Sequence, residues 1–186
     1  MQGRGLSLPL RTPRLMLRQM NAADAPALRR IVTLPGVGRM LFAFPPDWTV
    51  AAAQDLIGAW QYRPGAARFR LAIDAGDGVL IGSVGLWAEG AAASEPQVFY
   101  FVDPAHAGKG LATEAMEAFV AALFDGYEIE ALGADVFSDN PRSARVLARL
   151  GFGATGLGHG TSAARLEPAQ IVLYRLSRAN WKARTQ

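Results

Sequence analysis

YFVDPAHAGKGLATEAMEAFVAALF, Tyr100 to Phe124, passes from an apolar run through Asp-Pro and a small glycine-bearing loop into a long segment of helical spacing. From Ala112 onward, Ala115, Met116, Phe119, Val120 and Leu123 recur at intervals of three and four, the pattern of a helix with one buried face. The run that leads in, QVFYFV from Gln97 to Val102, is aromatic and β-branched, and it predicts a strand buried on both faces. Between them stand Gly108, Lys109 and Gly110, with almost no side chain to do chemistry, so the function of the junction lies in its backbone. A strand that turns through glycines into a helix leaves the first helical N–H groups free, and the helix dipole adds partial positive charge there. Such a site suits an anion, phosphate best of all. Gly108 and Gly110 let the backbone approach a ligand, Ala112 keeps the next turn clear, Thr113 adds a hydroxyl and Lys109 an outer charge.

Working outward, RLMLRQM (Arg14 to Met20) reads as a strand after a Thr-Pro turn, and Asn21 caps a helix from about Ala22 to Leu34 that LPGVG stops. FAFPPDW is a proline-bent loop, followed by a helix from about Val50 to Trp60. RFRLAID alternates, with Phe69, Leu71 and Ile73 on one side, and a tight AGDG turn returns the chain through VLIGSVGLW as a hairpin. EGAAASEP is a loop, ALGADVF a strand, and SDNPRSARVLARLGF a helix punctuated by Asn140 as N-cap, Pro141 at the first position and Gly151 as stop. IVLYRLS is a last strand. The order β-α-α-β-β-β-α-β-α-β-β predicts an α/β (α+β) fold: a mixed, mostly antiparallel sheet in one domain spanning residues 1–186, flanked by helices on both faces.

Composition narrows the function. At 186 residues and 51% hydrophobic, the chain is long enough for one sizeable core and too apolar for disorder. It has no cysteine, which excludes disulfides, thiolate metal sites and a cysteine nucleophile, and only two histidines, which argues against a His-rich metal site. The net charge of +3 is spread without a block of like sign, which argues against nucleic acid and suits attraction of a small polyanion. No apolar run approaches the roughly 20 residues needed to cross a bilayer, and MQGRGLSLPLR lacks the apolar core of a signal peptide, so the expectation is a cytoplasmic protein without membrane association.

Two familiar phosphate loops fail here. A P-loop requires glycine and Ser/Thr where Asp103 and Gly110 stand, and the third glycine of a dinucleotide fingerprint is Thr113. YFVDPAHAGKGLATEAM instead resembles the acyl-CoA pyrophosphate loop of the GNAT superfamily of N-acetyltransferases, with Gly110 and Ala112 in place and Ala107 where Gln or Arg is usual. TPRLMLRQMNAADAPAL resembles the opening of the RimJ/RimL-like branch, IGSVGLW its third strand, and SDNPRSARVLARLGF its second signature, with Asn140, Ser143 and Gly151-Phe152 in place. The resemblance covers about Thr12 to Trp181.

It implies acetyl-CoA as donor, no metal, and a primary amine as acceptor, either a protein N-terminus or a small molecule. It places the cofactor against Phe101 and Val102 of the fourth strand, against Gly108, Lys109, Gly110, Leu111, Ala112 and Thr113 of the loop, and against Asn140. In this branch a glutamate often begins the fourth strand, where this chain has Gln97, and many relatives carry a tyrosine acid where it has Leu147. Ser143 is the remaining hydroxyl and the candidate to protonate the leaving thiolate; its other reading, like that of Asn140, is capping. His106 reads as a turn histidine, Asp135 as a cleft or edge residue, Glu89 and Glu95 as solvated, Glu114 as a dipole partner, Tyr100 and Trp87 as core or cleft wall, and Trp48 as a lid or a packed residue.

Without a strong base, an α-amine of pKa ~7.8 costs only ~1 kcal/mol to deprotonate at pH 7, against ~5 kcal/mol for a lysine. The expected enzyme therefore prefers low-pKa amines. A non-catalytic acyl-CoA-binding module and a nucleotide-dependent oxidoreductase are the alternatives, and the oligomeric state stands open between monomer and homodimer.

Overall fold

The computed structural model describes residues 1–88 and 95–185. Its elements run β1 (Leu10–Arg11), β2 (Met16–Gln19), α1 (Ala25–Val32), α2 (Pro35–Gly38), α3 (Val50–Ala59), β3 (Arg68–Asp74), β4 (Leu80–Trp87), β5 (Gln97–Val102), α4 (Leu111–Gly126), β6 (Ala131–Phe137), α5 (Pro141–Arg149), β7 (Gly153–Gly160), β8 (Ala169–Ser177) and α6 (Arg178–Thr185). Local chemistry sets several of these boundaries. Asn21 Oδ1 accepts from the Ala23 N–H at 2.9 Å while the Asp24 carboxylate accepts from the Asn21 N–H at 2.8 Å, a reciprocal cap. Arg18 ties that cap to the β3–β4 hairpin, reaching Asp24 at 2.8 Å and Asp74 at 2.9 Å. Burial alone would raise the Asp74 carboxyl, but Arg18 and the amides of Gly76 and Gly78 hold it below the usual carboxylate range. At the other end of α4, Arg178 donates to the carbonyls of Phe124, Tyr127 and Ile129, which satisfies a helix end that carries no glycine cap.

The eight strands form one sheet in the order β1-β2-β3-β4-β5-β6-β8-β7, with every neighbouring pair antiparallel except β5 and β6. On one face Leu71, Ile73, Val84 and Leu132 pack against Met116, Phe119 and Val120 of α4 and Leu147 of α5. On the other, Ala72 and Phe101 pack against Leu28 and Ile31 of α1 and Ile57 of α3. The mixed sheet with helices on both faces is the architecture expected.

The fold departs from expectation where packing overrides pattern. The helix expected from about Ala22 to Leu34 is a 3-10 turn at Ala22–Asp24 followed by α1, and the LPGVG stop itself forms the single turn α2. QVFYFV is only half buried, because β5 keeps a close neighbour on one side alone: its register with β6 is a single pair, Gln97↔Gly133, after which the two strands part. Gly153–Gly160 is an exposed edge strand and supplies the last but one strand of the expected order, whereas α6, unforeseen, is anchored by the buried Trp181 beside Phe124.

Candidate active site

The parting of β5 and β6 opens a cavity of about 650 Å³ that runs through the sheet. Gln97 stands at its closed end. A Cβ on Gly133 would lie 2.2 Å from the Gln97 side chain, so the glycine makes room for Gln97 to fill the vertex. Gln97 Oε1 is buried there without a hydrogen-bond partner, and the cavity wall begins only at the next residue, Val98.

Backbone alternation then defines the free edge. The Asp103 N–H donates to Ile81 of β4 at 2.8 Å and the Pro96 carbonyl accepts from Gly133 of β6 at 3.0 Å. Odd-numbered residues of β5 therefore address β4, and Val98, Tyr100 and Val102 address β6. Beyond the single bridge, the peptide groups of Tyr100 and Val102 face open cavity. Phe101 is turned the other way, its ring in the cluster against α1 and its backbone paired with Ser83.

The free edge leads into the glycine loop. Asp103 caps the turn, accepting from the Ala105 N–H at 2.9 Å and pairing with Arg30. Burial would raise its carboxyl, but the Ala105 amide and Arg30 hold it below the ordinary range. Gly108 and Gly110 have φ of +78° and +76°, in the left-handed region that favours glycine. Gly110 is the N-cap of α4 and supplies no side-chain cap, so the first N–H groups of this sixteen-residue helix stay available. Gly108, Gly110, Leu111, Ala112 and Thr113 all line the cavity, as does His106. Lys109 does not; its carbonyl accepts from Arg14 Nη1 at 2.8 Å. Arg14 in turn donates from Nε to Glu114 at 2.6 Å, and the Thr12 hydroxyl donates to the same carboxylate at 2.6 Å. Burial would raise Glu114, yet Thr12 and Arg14 hold it below the usual carboxylate range. The residue read as a dipole partner thus clamps the loop to the β1–β2 turn.

α5 forms the opposite wall. Asn140 Oδ1 accepts from the Ser143 N–H at 3.2 Å, so its capping role is realised, and both residues line the cavity. The Ser143 Oγ lies 2.7 Å from the Tyr100 hydroxyl, which also donates to the Ser143 carbonyl at 3.1 Å. Burial pushes the Tyr100 phenol up to about 12. Leu147, where many relatives carry tyrosine, is sealed into the core at 0% exposure. Arg142, Arg145 and Arg149 stand exposed along the rim. Sequence reasoning passed over them, although their spacing on a helix aligns them on one side.

On the far face, Leu132, Ala134 and Val136 of β6 belong to the α4 side, so Asp135 faces the α1–α3 side, where it lines the cavity. It has no ion-pair partner among the described residues, and burial raises its carboxyl above the ordinary value although the side chain stays open to the cleft. Met40, Leu41 and Phe42 close this side. Phe42 stacks on Phe137 at 4.8 Å, while Asp139 holds both Arg39 and Arg165 at 2.7 Å, which pins this wall to the β6–α5 turn. The other named candidates lie elsewhere. Trp48, partly buried, packs on Phe44 at 4.8 Å at the edge of the core, Trp87 is exposed at the end of β4, and Glu95 pairs with Arg175 at 2.7 Å. Glu89 and most of the EGAAASEP loop fall outside the described residues.

The model of the acetyltransferase (GNAT) domain matches residues 14–153, and the chain belongs to that family of acyl-CoA-dependent N-acetyltransferases. Among individual proteins, the chain is 28% identical over 152 residues to the uncharacterized N-acetyltransferase YoaA of Bacillus subtilis (strain 168), covering 80% of this chain and 84% of YoaA. Its fold is similar to Mycobacterium smegmatis RimJ in complex with CoA-disulfide, with a TM-score of 0.77 at 22% identity, over 92% of this chain and 86% of that one. It is also similar to spermidine N-acetyltransferase from Vibrio cholerae in complex with CoA and spermine, with a TM-score of 0.79 at 16% identity, over 92% and 99% of the two chains. At these identities the likeness is one of fold.

Proposed function

We propose that this protein binds acetyl-CoA in the opening between β5 and β6 and transfers its acetyl group to a primary amine that enters from the α1–α3 face. The observation that carries this reading is the continuity of one surface: the free peptide groups of Tyr100 and Val102 run directly into the uncapped N-terminus of α4, between the Asn140 and Ser143 wall and the face bearing Asp135. The amides from Gly108 to Thr113 suit the pyrophosphate and those of Tyr100 and Val102 suit the amides of the pantetheine arm, while Asn140 and Phe101 flank the path. Arg142, Arg145 and Arg149 supply positive charge at the mouth, which matches a phosphate-rich ligand.

In the transfer, the amine nitrogen attacks the thioester carbonyl carbon, the C–S bond breaks, and the nitrogen gives up a proton. Asp135 is the carboxylate placed to accept that proton, directly or through water. The Tyr100–Ser143 pair faces the sulfur side. A phenol at about 12 will not surrender its proton to a thiolate whose acid has pKa ~8.5, since the gap costs roughly 5 kcal/mol. The pair therefore stabilises the departing thiolate by donating a hydrogen bond, with Ser143 nearest and Tyr100 orienting it. Gln97, at the vertex, cannot accept the proton, and its side chain fills the space over Gly133 where the two strands still pair.

The reading is tested by acetyl-CoA consumption across N-terminal peptides, aminoglycosides and polyamines, repeated with Gly110→Asp. Turnover with at least one amine, lost in a variant that still melts cooperatively, supports it. CoA binding without turnover for any amine would leave a binding module in its place.

A further inference from the structure

Phe42 is a large apolar side chain that the fold leaves open at the cavity. It is 43% exposed, and it lines the opening between β5 and β6 on the α1–α3 side beside Met40 and Leu41. A lone exposed phenylalanine is ordinary on a protein surface, but the segment that carries this one is fixed. Ser162 Oγ donates to the Leu41 carbonyl at 2.5 Å, the Ala163 N–H donates to the Phe42 carbonyl at 3.3 Å, and Arg165 Nε donates to the Arg39 carbonyl at 2.7 Å. A Cβ on Gly160 would lie 2.7 Å from the Phe42 ring, so the end of β7 is bare where the ring passes it. The connection between β7 and β8 thus holds an apolar ring in the wall of the site with much of its surface uncovered.

The ring is close to the carboxylate. Phe42 stacks on Phe137 with centroids 4.8 Å apart. Phe137 stands two residues beyond Asp135 on β6, and residues two apart in a strand share a face at a spacing of roughly 7 Å. Asp135 and Phe42 line the same cavity, and the half-buried Phe99 lines it from β5. Aromatic rings interact at centroid separations of about 4.5–7 Å, so a ring carried a few bonds from an amine reaches Phe42 while the amine meets Asp135.

Charge narrows the acceptor further. Asp135 is the one acidic group among the described residues that line the cavity, and the arginines of α5 and His106 of the glycine loop lie toward the cofactor side. Beside the Phe42 wall, Arg39 and Arg165 already hold the carboxylate of Asp139. A second ammonium there meets cations and a carboxylate that is taken, so a polyamine is poorly matched.

We propose that Phe42 is a specificity-determining residue of the acceptor site, and that the acceptor is a primary monoamine with a large apolar or aromatic group a few bonds from its nitrogen, the amine at Asp135 and the apolar group against Phe42. This rests on the acetyl-transfer reading above and names its acceptor class. Either a free amine or the first residue of a peptide presents this chemistry.

The test uses α-amines of similar pKa, glycinamide, leucinamide and phenylalaninamide, each also as the first residue of a short peptide, with spermidine as the polyamine. kcat/KM with acetyl-CoA is measured for the wild type, Phe42→Ala, Phe42→Leu and Met40→Ala. The wild type is expected to favour phenylalanine over glycine by about tenfold or more, the scale of burying one large apolar side chain. That ratio is expected to fall by about fivefold or more in Phe42→Ala, to fall less in Met40→Ala on the same wall, and to be largely kept in Phe42→Leu. The ratio appearing in the amides or in the peptides tells the two sources apart, and either supports the proposal. A wild-type ratio near one, a ratio unchanged in both alanine variants, or spermidine as the best acceptor overturns it while leaving acetyl transfer intact. The same proteins are assayed with hexanoyl-CoA and glycinamide: a preference for hexanoyl-CoA over acetyl-CoA that Phe42→Ala removes assigns the ring to the acyl chain and also overturns it. Absence of turnover with every amine overturns the acetyl-transfer reading, and this proposal with it.

Discussion

The Tyr100 hydroxyl lies 2.7 Å from Ser143 Oγ, which joins the free-edge strand to the opposite wall of the cavity. Leu147, one turn further along α5, is left to the core. If the pair stabilises a thiolate by hydrogen bonding, Ser143→Ala should lower kcat by about 10- to 100-fold with little change in the KM for acetyl-CoA, the scale of a bond to a charged group. Tyr100→Phe should cost less, and the double variant should cost less than the product of the two. Steady-state kinetics on the four proteins checks this.

Asp135 should set the acid limb of the pH profile. Burial raises its carboxyl above the ordinary value, so the active carboxylate form is gained as pH rises through that raised pKa and lost below it. Asp135→Asn is expected to reduce kcat/KM by about 10²- to 10⁴-fold and to remove this limb. A pH–rate profile of wild type and variant with one low-pKa amine is the measurement.

Acid should loosen both the β3–β4 hairpin and the cofactor loop. Asp74, Asp103 and Glu114 all sit below their ordinary pKa in the fold, so each contributes stability above the unfolded value of about 4, lost as pH falls through the lower folded value. The melting temperature should hold from pH 7 to about 5 and drop below about 4. Glu114→Gln should weaken CoA binding more than it lowers the melting temperature, because Glu114 acts through Arg14 on the Lys109 carbonyl.

The arginines of α5 should act as a salt-sensitive group. Arg142→Ala, Arg145→Ala and Arg149→Ala are each expected to raise the Kd for CoA by about twofold to fivefold at low salt, and the difference should shrink at high salt. Calorimetric titration at two ionic strengths reads this directly.

Much of this is legible in the sequence itself. The three-and-four spacing of Ala115 to Leu123, the Asn140-Pro141 punctuation of α5 and the alternation in RFRLAID are local signals, and local structure obeyed them. What was hidden is tertiary. QVFYFV reads the same whether its second neighbour is present or absent, so the opening that makes the site leaves no mark on it. Arg70 falls on the polar phase of an alternating strand and reads as solvent-facing; it is buried because Trp60, Phe44 and Phe99 close over it. The glycines of Gly153–Gly160 carry no alternation, so β7 is defined only by its pairing with β8. Asp135 and Tyr100 could be named from the sequence, but their faces follow from the β5–β6 register.

The central claim is that the opening between β5 and β6, together with the glycine loop, is an acyl-CoA site. Thermal denaturation with CoA, acetyl-CoA, NAD and ATP, on the wild type and Gly110→Asp, tests it most directly. Gly110 has φ of +76°, where aspartate is strained and sets a negative charge among the free N–H groups of α4. Stabilisation by CoA and acetyl-CoA but not by NAD, abolished in a Gly110→Asp protein that still melts cooperatively, is the predicted result. No stabilisation of the wild type by CoA, or equal stabilisation of the variant, would contradict the account.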